Sequence, residues 1–144
     1  AYANKLTLAP DCAFVMADAT QTVRAYLFAL PIALDQPPAL NASDFALAAD
    51  ANCLYLHDMA IDPTARGQGL STPLMTAFFA AASARQLAWC SLIAIQNSSA
   101  FWQRYGFAQH ALSHSPAMLS KLASYGQAKY LLQARPEQAL SSLA

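Results

Sequence analysis

Two short stretches of this chain hold residue types that can do chemistry. His57-Asp58 sets an imidazole beside a carboxylate, and histidine is the side chain whose ordinary titration falls near neutral pH, so it can take or give a proton there. Arg66-Gly67-Gln68-Gly69-Leu70-Ser71 combines a cation, two glycines and a hydroxyl just ahead of a helix-forming run. The start of a helix gathers backbone N–H groups without intrahelical acceptors and the positive end of the helix dipole, which favours an anion, most simply a phosphate. Gly67 and Gly69 would let the backbone close on a pyrophosphate and adopt positive φ, and Arg66 would add a charge-assisted contact. A tight strand-to-helix turn can have the same composition, so the neighbouring segments have to decide.

Those segments read as alternating strands and helices. Ala13 to Ala17 and Val23 to Leu30 are apolar runs separated by the short polar stretch Asp18-Ala19-Thr20-Gln21-Thr22, the pattern of an antiparallel hairpin. Pro31 to Asp50 is rich in breakers and reads as a long loop over 31–52. Cys53 to Ile61 reads as a strand ended by Asp62-Pro63, with Leu54, Leu56, Asp58 and Ala60 on one face and Tyr55, His57, Met59 and Ile61 on the other. From Leu70 to Arg85, Leu70, Leu74, Phe78 and Ala81 recur at helical spacing, and Pro73 falls in the first turn, where a missing N–H costs little. Trp89 to Ile95 follows as a strand, and Ser98 to Tyr105 as a short helix led in by Asn97 and stopped by Gly106. Phe107 to Leu112 and Ala128 to Gln133 are the last strand candidates, and the tail 136–144 is expected to fray. This order implies one α/β or α+β domain over residues 1–144.

Composition narrows the partners. Eight Lys and Arg balance eight Asp and Glu, so no basic field is available for a nucleic-acid backbone. Charged residues are 11% of the chain, against roughly 25% in an average soluble domain; so bare a surface admits a self-contact, a homodimer. Cys12, Cys53 and Cys90 are odd in number and widely spaced, which suits a reducing, cytoplasmic setting, and Cys53 and Cys90 read as buried packing residues. The apolar run Ala25 to Leu34 is too short to cross a bilayer, and no membrane association is expected. His110 and His114 have a ligand-like spacing, but Ser113, Ser115 and Pro116 argue against a helix, and no metal site is expected. Phe78, Phe79, Trp89, Phe101, Trp102 and Phe107 read as core at the junction of helix and sheet.

The stretch from Leu54 through Asp58-Met59-Ala60-Ile61-Asp62-Pro63 to Arg66-Gly67-Gln68-Gly69-Leu70 resembles the cofactor-binding strand, loop and helix of the GNAT N-acetyltransferase superfamily. Asn97 to Phe107, with Phe101-Trp102 and the ending Tyr105-Gly106-Phe107, is similar to the superfamily helix that closes in Gly-Phe beside the coenzyme. Lys121 to Leu131 is similar to the closing segment of small bacterial members. The resemblance spans about residues 12–133 and implies a mixed, mainly antiparallel sheet flanked by helices. It further implies acetyl-CoA as acetyl donor, with its pantetheine arm along the backbone of Met59, Ala60 and Ile61 and its pyrophosphate on Arg66, Gly67, Gln68, Gly69, Leu70 and Ser71. Asn97, Phe101 and Trp102 would lie beside the coenzyme.

The same resemblance implies direct acetyl transfer to a primary amine of a small molecule or peptide, with no covalent enzyme intermediate and no metal. An ammonium has no lone pair, so a base or a water chain must free the amine, and His57 is the candidate. Asp58 could draw in a cationic acceptor; some relatives, polyamine acetyltransferases among them, have Glu-Asp here. The superfamily places a bulge in this strand, which would let both side chains face the groove, and a backbone N–H near Met59 or Ile61 would meet the developing oxyanion.

Three departures stand out. Ser71 replaces the usual glycine or alanine. Trp102 stands where many members carry a tyrosine that protonates the departing thiolate, and indole cannot act as that acid, which leaves water or Tyr105, one turn on, for the task. The usual first strand and helices 1 and 2 are largely missing ahead of the hairpin, residues 1–10 reading as the end of helix 2. Two rival readings remain, a coenzyme-A-binding or sensing module without turnover and an interaction domain with no affinity for acetyl-CoA.

Overall fold

A computed structural model describes residues 9–34, 49–95, 98–109, 122, 129–134 and 136–143. Strands β1 (Ala13–Ala17) and β2 (Val23–Ile32) form the expected antiparallel hairpin. Its turn is organised by Asp18, whose carboxylate accepts from the backbone N–H of Thr20 at 2.8 Å and of Thr22 at 3.1 Å. β2 runs past the expected end at Leu30, through Pro31 to Ile32. The proline is tolerated because β1 pairs with β2 only as far as Phe28, so among the described residues Pro31 has a strand partner on one side alone.

β3 (Cys53–Ile61) lies antiparallel to β2, and the chain then crosses through helix α1 (Ser71–Ala84) to β4 (Trp89–Ala94), which is parallel to β3. A short helix α2 (Ser99–Gln103), strands β5 (Ala108–Gln109) and β6 (Lys129–Ala134), and helix α3 (Pro136–Leu143) complete the described chain. Among the described residues the sheet order is β1-β2-β3-β4-β6-β5, with β3–β4 the one parallel pair. This is the mixed, mainly antiparallel sheet flanked by helices that the sequence predicts.

Helices α1, α2 and α3 lie against one face. Leu74, Met75, Phe78, Phe79 and Ala82 of α1 are buried against Leu27, Leu54, Leu56 and Leu92 of the sheet, each large side chain contributing about 1.5–3 kcal/mol of apolar burial. The opposite face holds a second cluster of Phe28, Leu30, Ile32, Cys53 and Tyr55. Cys12, Cys53 and Cys90 are all buried, and burial pushes the Cys12 thiol up to about 11 and the Cys90 thiol higher still. Three ion pairs tie the ends of elements together. Arg85, after α1, grips Asp11 at 2.6 and 2.9 Å, and Arg24 of β2 bridges Asp18 at 2.8 Å and Asp62 at 3.0 Å.

Three sequence expectations need correction or restriction. The tail after Pro136 does not fray: it forms α3, with proline opening the helix, Glu137 in its first turn, and Ala139, Leu140 and Leu143 packed on the helix-side core. The loop expected over 31–52 loses its first residues to β2, and 35–48 lie outside the described residues. Of the expected helix remnant over 1–10, residues 1–8 lie outside them as well, and Pro10–Cys12 is a single 3-10 turn. His110, His114 and most of the segment from Lys121 to Leu131 also fall outside.

Candidate active site

The site begins with an irregularity in β3. β2 and β3 pair Phe28 with Asp58 and then Ala29 with Leu56, so His57 is the extra residue of a β-bulge. An inserted residue reverses the alternation beyond it. Leu54 and Leu56 point to the helix side, and so do Met59 and Ile61, whereas Tyr55 belongs to the opposite cluster. The face assignment expected from strict alternation therefore holds up to His57 and inverts after it. His57 packs beside Tyr55 and Phe28, with ring centroids 5.8 and 6.2 Å away, and its Nδ1 is buried. Asp58 lies on the Tyr26 side of the sheet and accepts a hydrogen bond from the Tyr26 hydroxyl at 2.7 Å.

The second feature is a split in the sheet. β3 and β4 pair from Cys53–Trp89 to Leu56–Leu92 and no further. Past that point Met59, Ala60 and Ile61 are paired with β2 on one side, and among the described residues no strand pairs with their edge toward β4. A cavity of about 290 Å³ occupies the split. His57, Asp58 and Met59 form one wall of it, and Ile93, Phe101 and Trp102 another.

The glycine loop follows β3 directly. Asp62 caps the 3-10 turn Pro63–Ala65, accepting from the Thr64 backbone N–H at 2.9 Å, and the chain then passes through Gly67 at φ +84° and Gly69 at φ +72° into α1. Leu70, at the N-cap position, makes no side-chain cap to the helix, so the first-turn amides keep their donor capacity for an anion. Pro73 lies in that first turn, where the sequence places it. A Cβ built on Gly67 or Gly69 would meet no atom within 4 Å, so the space above both glycines is open. Arg66, Gly67, Gly69 and Ser71 line a cavity of about 460 Å³. Phe101 lines both this cavity and the strand split, so the two adjoin at this residue.

The remaining sequence candidates fall into place around these features. Trp102 is buried and donates from its indole N–H to the Ser98 hydroxyl at 3.2 Å. The Tyr105 hydroxyl is 2.9 Å from the Ser71 hydroxyl and 3.3 Å from that of Thr72, at the start of α1. It is not among the residues lining the His57 cavity. Gln68 is exposed within the loop, and Asn97 lies outside the described residues. Of the aromatic group, Phe78, Phe79, Trp102 and Phe107 are core, while Phe101 is partly exposed in the wall of both cavities.

Sequence reading missed two residues. Arg104 lies over the Phe101 ring at 5.1 Å and lines the loop cavity, setting a second cation beside Arg66. Its place in the resembling helix was the available signal. Tyr26 had none, because its partner Asp58 is 32 residues away in the chain. That hydrogen bond, with some burial, pushes the Tyr26 phenol up to about 12.

A sheet split beside a glycine loop at a helix start is the arrangement of an acyltransferase. A family model described as an acetyltransferase (GNAT) domain matches residues 36–109, and the chain belongs to that family. Solved structures share the fold. Ard1 from Thermoplasma volcanium superposes with a TM-score of 0.66 at 14% identity, covering 92% of this chain and 76% of its own. An acetyltransferase of the GNAT family from Staphylococcus aureus Mu50 gives 0.65 at 12% identity, with 92% and 74% coverage. A chain of the NatC complex bound to Gag peptide and CoA gives 0.64 at 16%, with 93% and 77% coverage. No curated protein sequence matches the chain.

Proposed function

We propose that the chain transfers acetyl from acetyl-CoA directly to a primary amine of a small molecule or peptide. The observation that carries this reading is the bulge at His57, which brings an imidazole and a carboxylate to the wall of the split, beside an unpaired strand edge that leads to the glycine loop. In this reading the pyrophosphate lies on the amides and side chains of Arg66 to Ser71, with Arg104 as a second cation. The pantetheine arm runs along Met59, Ala60 and Ile61, where it would complete the strand pairing that β4 abandons. The acetyl group then reaches the split beside Phe101. His57 frees the amine lone pair, the amine attacks the thioester carbonyl, and a backbone N–H near Met59 meets the oxyanion.

Tyr105 is bonded to Ser71 in the first turn of α1, which favours a role in bracing the cradle over one in protonating the thiolate, and that proton then comes from water. The buried cysteines agree with a reducing, cytoplasmic setting. Among the described residues no helix is long and apolar enough to cross a membrane.

The seclusion of Trp102, which has no ionisable hydroxyl to offer, favours a second reading: a module that binds coenzyme A without turnover. One assay separates the two. Free thiol released from acetyl-CoA is measured against a panel of aliphatic, aromatic and peptide amines. Amine-dependent release is expected, whereas tight acetyl-CoA binding with no release from any amine overturns the enzymatic reading.

A further inference from the structure

Asp58 is the one formally charged side chain at neutral pH among the described residues lining the strand-split cavity, whose other walls include Ile93, Ile95, Phe101 and Trp102. A carboxylate in such a wall can take several rotamers unless something holds it. Here the holder comes from the neighbouring strand. Tyr26 pairs with Ala60 and Phe28 with Asp58, so Tyr26 sits one diagonal step from Asp58 on the same face of the β2–β3 ladder. From there its hydroxyl donates 2.7 Å to Oδ2 of Asp58. The diagonal works only because the His57 bulge has turned Asp58 to the Tyr26 side.

We infer that Tyr26 is a positioning residue for the acceptor, fixing the Asp58 carboxylate as an anionic anchor in a cavity also lined by Ile93 and Ile95, and that the acceptor is an ammonium on an apolar or aromatic body. The hydrogen bond fixes the direction in which the carboxylate faces. An ammonium is then steered and bound before it loses its proton. Ile93 and Ile95 in the lining suit a hydrocarbon or aromatic body better than a polycation, which would find no second carboxylate among the described lining residues.

The inference rests on the acetyltransferase reading for the acceptor's role, yet binding tests it without turnover. Phenethylammonium and the isosteric but uncharged 2-phenylethanol are titrated calorimetrically into the full chain, its Tyr26→Phe variant and its Asp58→Asn variant. The wild type is expected to bind the ammonium at least tenfold more tightly than the alcohol. Tyr26→Phe should lose about tenfold in ammonium affinity, the scale of one hydrogen bond to a charged group, with alcohol affinity unchanged. Asp58→Asn should abolish the preference. A purely structural role for Tyr26 would lower the melting temperature or weaken both ligands alike. Equal affinity of the wild type for ammonium and alcohol, or an unaltered preference in Tyr26→Phe, overturns the inference. Failure of thiol release from every amine, with the ammonium preference intact, would instead remove the acetyl-transfer reading and leave the amine site standing.

Discussion

His57 sits at the extra position of a bulge, wedged between Phe28 and Tyr55 with one ring nitrogen buried, so its ring is held rather than free to rotate. A held imidazole in the wall of the strand split suits general-base work, which depends on position before pKa. His57→Ala is therefore expected to lower kcat on the order of 10²–10⁴-fold while acetyl-CoA affinity stays within a few-fold. Single-turnover kinetics beside equilibrium titration would check this, and an unaltered rate would take His57 out of the mechanism. The types of His57, Asp58, Gly67 and Gly69 made them legible as candidates in the sequence. That both His57 and Asp58 face the split was not derivable from alternation, because a one-residue bulge leaves no mark in a strand whose two faces are both apolar. Tyr26 was illegible for a related reason, since its role depends on the register between two strands.

At the scale of elements, the hairpin is coupled to the glycine loop through Arg24, which joins Asp18 in the β1–β2 turn to Asp62 at the end of β3. Hydrogen bonds from Thr20 and Arg24 hold the Asp18 carboxyl well below the usual carboxylate range, and bonds from Thr64 and Arg24 lower that of Asp62. A depressed folded-state pKa means stability that is present above the unfolded value of about 3.9 and lost as pH falls through the folded values. The urea midpoint is expected to fall as pH is lowered below about 4, and Arg24→Met should make that dependence shallower. Identical pH profiles for the two proteins would show that the bridge does not couple to folding. The elements themselves were largely legible. β3, α1 and β4 lie within a residue of their sequence-predicted bounds at each end, since long periodic or continuous apolar runs between breakers leave little choice. α3 was missed because an eight-residue helix with apolar residues at 139, 140 and 143 carries too short a period to stand out, and it gains its stability from packing on α1.

At the scale of the whole molecule, three features that lie apart in the chain come together: a sheet that splits after Leu56 and Leu92, a glycine loop at the start of α1, and an aromatic helix end whose Phe101 borders both cavities. The general architecture was legible as strand–helix alternation and as a family resemblance, whereas the split depends on how far two strands pair and cannot be read from either strand alone. The central claim is that this assembly binds acetyl-CoA with its pyrophosphate on Arg66 to Ser71. Gly69 tests it most directly, because its φ is +72° and a side chain there would project into open space rather than into the core. Gly69→Leu costs about 1–2 kcal/mol of backbone strain, small enough to leave a folded domain of ordinary stability of roughly 5–15 kcal/mol, while filling the space the phosphates need. Titration of acetyl-CoA into the wild type and this variant, with circular dichroism to confirm folding, is expected to show binding in the first and a loss of at least about a hundredfold, some 2.7 kcal/mol, in the second. Equal affinity in two folded proteins would contradict the account.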